Sequence, residues 1–267
     1  MKKWNLIILT ILIAACSQNP ITGRKQLTLL PEDQMNSMAL TEYQSFLTEN
    51  KTKVVATGTN VELVKKVGTR IATAVNAYMT QIGLAEKMKS YSWEFNVVED
   101  PIANAWCMPG GKVVVYTGLL PITQTEAGLA VVMGHEISHA IASHGNERMS
   151  ASMMQELGMT ALDLALANKK EQTRSIFMNA VGMGTQVGLI LPFGRKQESE
   201  ADRMGLIFMA MAGYDPTEAI NFWKRMAIQS NGQKPPEFLS THPSDETRIN
   251  DIQTKYLQEA LKYYKKM

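Results

Sequence analysis

His135-Glu136-Ile137-Ser138-His139 is the stretch that decides how this chain folds and what chemistry it carries. Two histidines four residues apart stand on one face of an α-helix, so both imidazoles can reach a single Zn²⁺. The sequence before them supports the helix. Thr123 or Thr125 starts it, Glu126 lies near its first turn, and Ala127, Leu129, Ala130, Val131 and Val132 follow. A helix so apolar is buried on most sides, and buried imidazoles and a carboxylate must then be satisfied, which a metal ion does. Glu136, beside the first histidine, can reach a water polarised by the metal and act as its general base. The pentapeptide therefore predicts one zinc ion per chain, for hydrolysis of a polarised carbonyl. It supplies two ligands and requires a third.

The third ligand does not come from the same segment. A metzincin would place glycine three and histidine six residues after His139, where this chain has Ala142 and Gly145. His144 lies five residues on, about 140° further round the helix, and points elsewhere while the helix stays regular. A gluzincin instead takes a glutamate from a second helix, and Glu198-Ser199-Glu200-Ala201-Asp202 offers one. Glu198 and Asp202 are i and i+4 and share a face. The economical assignment makes Glu198 the ligand and Asp202 the acceptor for the free ring N–H of one histidine, fixing its tautomer. Glu200, rotated about 200° from Glu198, is the weaker candidate. Alone, this acidic cluster with Arg195, Lys196 and Arg203 would read as a solvated helix face; beside a zinc-binding helix it reads as part of the site.

The amino terminus reads as a leader. Lys2 and Lys3 precede an apolar run from Leu6 to Ile13, too short to span a bilayer but the right size for a signal-peptide core. Ile13-Ala14-Ala15 before Cys16 resembles the bacterial lipobox, which implies cleavage before Cys16 and lipid on its sulfur and amino group. Ser17, rather than an aspartate, then favours the outer membrane, with the catalytic domain facing the periplasm. Residues 1–15 are thus expected as signal peptide, 16–30 as acylated cysteine and linker, and 31–267 as one metallopeptidase domain. With Cys16 lipidated, Cys107 is the one cysteine left, so no internal disulfide forms. The 27 basic side chains, less Lys2 and Lys3, leave 25 against 25 acidic ones, a balance that argues against nucleic-acid binding.

Along the rest of the chain, Pro31 opens a helix and Asn60 caps another through Val61, Val64, Val67, Ile71 and Val75. Tyr91 to Val98 reads as a strand, and Ala105–Met108 and Lys112–Tyr116 as a strand pair around Pro109-Gly110-Gly111. A further helix runs from about Gln197 to Met211, another follows Asp215-Pro216, and Pro243 begins a last one. The methionine-rich stretch from Met149 to Met183 reads as core filling or as a lid. Many helices with one small sheet make the class α+β.

His-Glu-x-x-His followed by Glu-x-x-Ala-Asp resembles the HtpX and CAAX-prenyl-protease family of gluzincins. Asn19-Pro20-Ile21-Thr22-Gly23-Arg24, Tyr116-Thr117-Gly118-Leu119, and Ser240-Thr241-His242-Pro243 ahead of Arg248 extend the match. They resemble most the family's bacterial outer-membrane lipoprotein branch, the LoiP-like or YggG-like metalloproteases. The resemblance implies a mostly helical zincin-like fold and a zinc-dependent endopeptidase, with His135, His139 and Glu198 as ligands and Glu136 as base. His242 and Arg248 are candidates to stabilise the oxyanion, and His242 can alternatively fill the open metal position at rest. Asn104-Ala105-Trp106 resembles the edge strand on which gluzincins lay an extended substrate, which demands an unfolded or flexible segment. The expected substrates are unfolded or misassembled envelope proteins. The alternative is a chaperone-like outer-membrane assembly factor in which binding matters more than cleavage.

Overall fold

A computed structural model describes residues 16–19, 21–167, 191–230 and 246–265, with positions 171, 175, 178, 238 and 242. The expected signal peptide lies outside the described residues, as do Pro20, Ser240, Thr241, Pro243 and much of the methionine-rich stretch beyond Ala167. In chain order the elements are β1 (Cys16–Gln18), β2 (Lys25–Leu27), α1 (Glu32–Glu49), β3 (Val54–Val55), α2 (Thr59–Gln81), α3 (Ala85–Met88), β4 (Glu94–Val98), β5 (Ala105–Met108), β6 (Lys112–Tyr116), α4 (Leu120–Thr123), α5 (Glu126–Ile141), α6 (His144–Ala165), α7 (Leu191–Met211), α8 (Glu218–Ser230), α9 (Glu246–Asp251) and α10 (Leu257–Leu261). The class is α+β, as expected: mostly helical, with small sheets.

The chain divides into two compact units. One comprises Met1–Pro31 and Ser143–Glu198, the other Glu32–Ala142 and Ser199–Met267. The division falls within α7, which is one helix.

In the second unit a four-stranded sheet has the order β3-β4-β6-β5. β6 is central, parallel to β4 and antiparallel to β5. Its Val113, Val114 and Val115 are fully buried, which is why it reads as an unbroken apolar run. The expected pair around Pro109-Gly110-Gly111 forms because Gly110 and Gly111 take φ of 82° and 85°, open to glycine at little cost. The strand expected from Tyr91 begins at Glu94, because Ser92 and Glu94 give their N–H groups to the carbonyls of Gly110 and Gly111 in that turn.

Val64, Val67, Ile71 and Val75 form the buried stripe of α2 at the expected spacing. The cap differs from expectation. Gly58, at φ 116°, turns the chain into α2, so the helix starts at Thr59 and Asn60 lies inside its first turn. For α5, Thr125 is the cap: its hydroxyl accepts from the N–H of Gly128 at 3.0 Å. Every residue from Gly128 to Ile141 is buried, as α5 packs among α2, β5 and α8. It ends where Ser143 adopts a left-handed φ of 58°, so His144 starts a new helix. Helix α7 starts at Leu191, ahead of the expected Gln197, and ends before Gly213, at φ 79°. Where α5 meets α7 the backbones nearly touch. A Cβ on Gly205 would lie 2.8 Å from the His135 nitrogen, and one on Gly134 2.8 Å from the Gly205 oxygen.

In the first unit β1 and β2 form an antiparallel hairpin, with Cys16 opposite Leu27. The stretch expected as a linker is fastened to α6. Ser150 Oγ accepts from Leu29 N at 2.8 Å, and Asn146 Nδ2 donates to Leu30 O at 2.7 Å. Among the described residues no helix is long and apolar enough to cross a membrane.

Candidate metal centre

Helix α5 carries His135, Glu136 and His139, and α7 carries Glu198 and Asp202 one turn apart. His242 follows Phe238 in a backbone turn closed by its N–H donating to the Phe238 carbonyl at 2.8 Å. One ligand atom from each of His135, His139, Glu198 and His242 lies within 4.8 Å of all the others. His139 Nε2 is 3.1 Å from His135 Nε2, and His242 Nδ1 is 3.1 Å from the same atom.

These contacts fit a shared metal better than mutual hydrogen bonds. The His135 Nδ1 proton is committed to Asp202 Oδ1 at 3.0 Å, which leaves Nε2 with a lone pair aimed into the cluster. Two nitrogens on one tetrahedral zinc stand roughly 3.3 Å apart, given bonds of about 2.0–2.1 Å. Three imidazoles and a carboxylate are also the donors zinc prefers. His144, although buried, is not in the group: α5 has ended and the left-handed Ser143 starts it on a new helix, so the phase argument for a regular helix does not apply to it. Nor is Glu200.

Asp202 is the expected support for a histidine, and Arg248 holds it. Nε of Arg248 donates to Asp202 Oδ2 and its NH2 to Oδ1, both at 2.7 Å. Burial would raise the Asp202 carboxyl, but the Arg248 charge and the His135 hydrogen bond outweigh it and hold the group below its ordinary value. Arg248 also stacks on Trp223, 3.7 Å from the ring centre, and donates to the His242 carbonyl at 3.3 Å. Asp202 thus takes its Nε and one NH2 contact, while NH1 faces the His242 carbonyl. Trp223 had no sequence signal beyond its helical phase. His242 Nε2 lies 3.3 Å from Glu136 Oε1, so the carboxylate and the third histidine share the site.

Among the described residues β5, which starts at Ala105 just after Asn104, is an edge strand of its sheet, and it packs against α5. Its side chains divide by alternation. The Trp106 ring packs edge-on against Phe46 at 5.0 Å and Tyr43 at 6.3 Å, in a cluster that includes Met108. Ala105 and Cys107 take the other face. Burial, then the Glu136 charge, push the thiol of the half-buried Cys107 well above its usual range.

The chain resembles known proteins over most of its length. The family model for peptidase family M48 matches residues 65–256. A mitochondrial metalloendopeptidase OMA1 of Schizosaccharomyces pombe is 38% identical over 70% of this chain and 53% of its own. The human metalloendopeptidase OMA1, mitochondrial, is 29% identical over 98% of this chain and 50% of its own. A beta-barrel assembly-enhancing protease of Yersinia pestis is 32% identical over 61% of this chain and 34% of its own. The chain thus spans about half, or less, of the length of these relatives. The comparison overturns the bacterial outer-membrane placement, because relatives matched over most of the chain are mitochondrial proteases. A serine after a cysteine is too small a signal to set a compartment, since such short addresses act only through the receptor that reads them. Matched over most of its length and carrying the donor set such enzymes use, the chain belongs to peptidase family M48, the zinc-dependent metalloendopeptidases.

Proposed function

We propose that this chain is a membrane-tethered zinc endopeptidase that removes unfolded or misassembled polypeptides, with His135, His139 and Glu198 as ligands and Glu136 as general base. The observation that carries the reading is the convergence of four ligand atoms within 4.8 Å of one another beside a buried carboxylate. Zinc, when bound, supplies a Lewis acid that polarises the scissile carbonyl and brings the pKa of water to about 7. Glu136 takes the proton of the attacking water and delivers it to the leaving amine. Asp202 holds the His135 tautomer, and Arg248 holds Asp202.

His242 guards the site. Together with His135, His139 and Glu198 it completes a four-donor set, whereas catalysis needs an open position, so it moves aside for substrate. The outer edge of β5 at Asn104-Ala105-Trp106 receives an extended polypeptide, which selects for chains that are not folded. Cys16, preceded by Ile13-Ala14-Ala15, carries the lipid, which groups this chain with tethered rather than membrane-spanning members of the family. Mass spectrometry of the amino-terminal peptide tests that assignment: an unmodified, uncleaved leader would refute it.

The decisive experiment compares cellular protein fragments made by wild-type and Glu136→Gln enzyme, with casein as the in vitro substrate. Fragments that depend on Glu136 and map to unfolded segments are expected; identical fragment sets would sink the reading. The name of the Yersinia pestis relative, a beta-barrel assembly-enhancing protease, favours a second reading, in which binding assists assembly. Under that reading Glu136→Gln abolishes casein cleavage and leaves the biological activity intact.

A further inference from the structure

The proposed chemistry leaves the motif around Asn19 and Arg24 without a task. Its geometry is specific. The Asn19 side chain accepts from Ile21 N at 2.9 Å and Thr22 N at 3.2 Å, and the Asn19 N–H donates to the Arg24 carbonyl at 2.8 Å. Gly23, at φ 72°, lets the chain turn back. The result aims Arg24 at α6, where its NH1 and NH2 donate to the two oxygens of Glu147 at 2.6 and 2.7 Å. This is the bidentate fork that holds a carboxylate in a fixed orientation.

Glu147 is itself buried and passes the contact on. Its Oε2 accepts from Gln197 Nε2 at 2.8 Å, and the other end of that amide, Oε1, accepts from Arg148 NH1 at 3.1 Å. Gln197 is fully buried and immediately precedes Glu198. An amide gripped at both ends fixes the rotation of its helix turn, and a neighbour on that turn inherits the setting.

We infer that Arg24 is a positioning residue for the metal site: through Glu147 and Gln197 it sets the orientation of Glu198. The inference rests on Glu198 being a ligand. It assigns the amino-terminal hairpin a task beyond spacing the domain from an anchor. Outer partners of metal ligands are worth about 10–100-fold in metal affinity, and Arg24 acts at the far end of such a chain.

The test uses the full chain. Zinc affinity is measured by chelator competition, and ligand geometry by the visible spectrum of the Co²⁺-substituted protein, for wild type, Arg24→Gln, Arg24→Lys and Glu198→Gln. Arg24→Gln is expected to weaken zinc binding about 10-fold and to shift the cobalt bands, with Arg24→Lys restoring part of both. A purely structural clasp would lower the melting temperature of the metal-free protein and leave both metal readouts at wild-type values, which overturns the inference. If Glu198→Gln also leaves affinity unchanged, the ligand assignment itself fails, and the two failures are thereby told apart. Should Arg24→Gln not fold, Gln197→Met removes the amide grip while keeping the Arg24–Glu147 pair, and the same two readouts decide.

Discussion

Gly205→Ala is a one-methyl substitution on which two physical effects disagree in sign. In an exposed helix interior it would stabilise by about 0.8–1 kcal/mol through propensity alone. Here the new Cβ would sit 2.8 Å from the His135 nitrogen and 2.9 Å from the Gly134 carbonyl carbon, backbone atoms that cannot swing away. Ordinary contact begins near 3.4 Å, so α5 and α7 must part by about 0.6 Å at the crossing. Forcing a methyl group into a packed interior costs about 1–3 kcal/mol, and the clash therefore wins. Net of the propensity gain the loss is about 0–2 kcal/mol, a fall of up to roughly 8 °C in melting temperature for a chain of this size. The same displacement carries Asp202 away from His135, so zinc affinity falls about 10–100-fold. Differential scanning calorimetry with and without chelator, together with a zinc competition titration, measures both. An unchanged or higher melting temperature with wild-type affinity would refute the argument that this crossing sets the site.

Further outcomes follow from the same geometry. Glu136→Gln lowers casein cleavage by about 10²–10⁴-fold while elemental analysis still finds one zinc per chain; loss of the metal with activity would show that Glu136 is no base. His242→Ala keeps zinc on the remaining ligands and raises basal cleavage, and a drop in cleavage would mean the histidine stabilises the oxyanion instead. Chelation abolishes cleavage and zinc restores it, so a chelator-resistant protease would end the metal assignment. Burial, then the Glu94 carboxylate, push the Tyr43 hydroxyl from 10.0 up to about 12. Its share of stability is whole below pH 10, declines as the unfolded chain ionises first, and is gone beyond about pH 12. Tyr43→Phe should flatten the alkaline loss of stability in that window only in part, because Tyr214 is raised to about 12 as well.

What the sequence made legible was whatever has a local period. His135 and His139 share a face because four residues make about one helical turn, and Glu198 with Asp202 obey the same rule on α7. The strand pair around Pro109-Gly110-Gly111 was legible through its glycines, which open φ angles few other residues take. Contacts made across the fold were not. Arg248 reads as any arginine near a His-Pro pair until Asp202 and Trp223 are beside it. Arg24 sits in a turn-rich stretch that looks like a linker, and its partner Glu147 lies far along the chain. Gly134 and Gly205 resemble indifferent helix glycines until two backbones meet on them. The start of α2 shows the same limit at short range: Asn60 is a fair cap by type, but the φ of Gly58 puts the boundary two residues earlier. Nor did the sequence show which aromatic neighbours strand alternation gives Trp106, whose ring packs edge-on against Phe46.

The pairing of Arg248 with Asp202 has an electrical consequence. The two charges cancel inside the protein, where each is less than a tenth exposed. Glu136 and Glu198 contribute two negative charges, and a divalent ion at the histidines brings two positive ones. The loaded centre therefore sums to zero and presents no net field for counterions to screen. Counterions stabilise the separated ion and the doubly negative empty site but not the neutral product, so the hold on the metal should weaken from low to physiological salt, by an amount that the burial of the site keeps small.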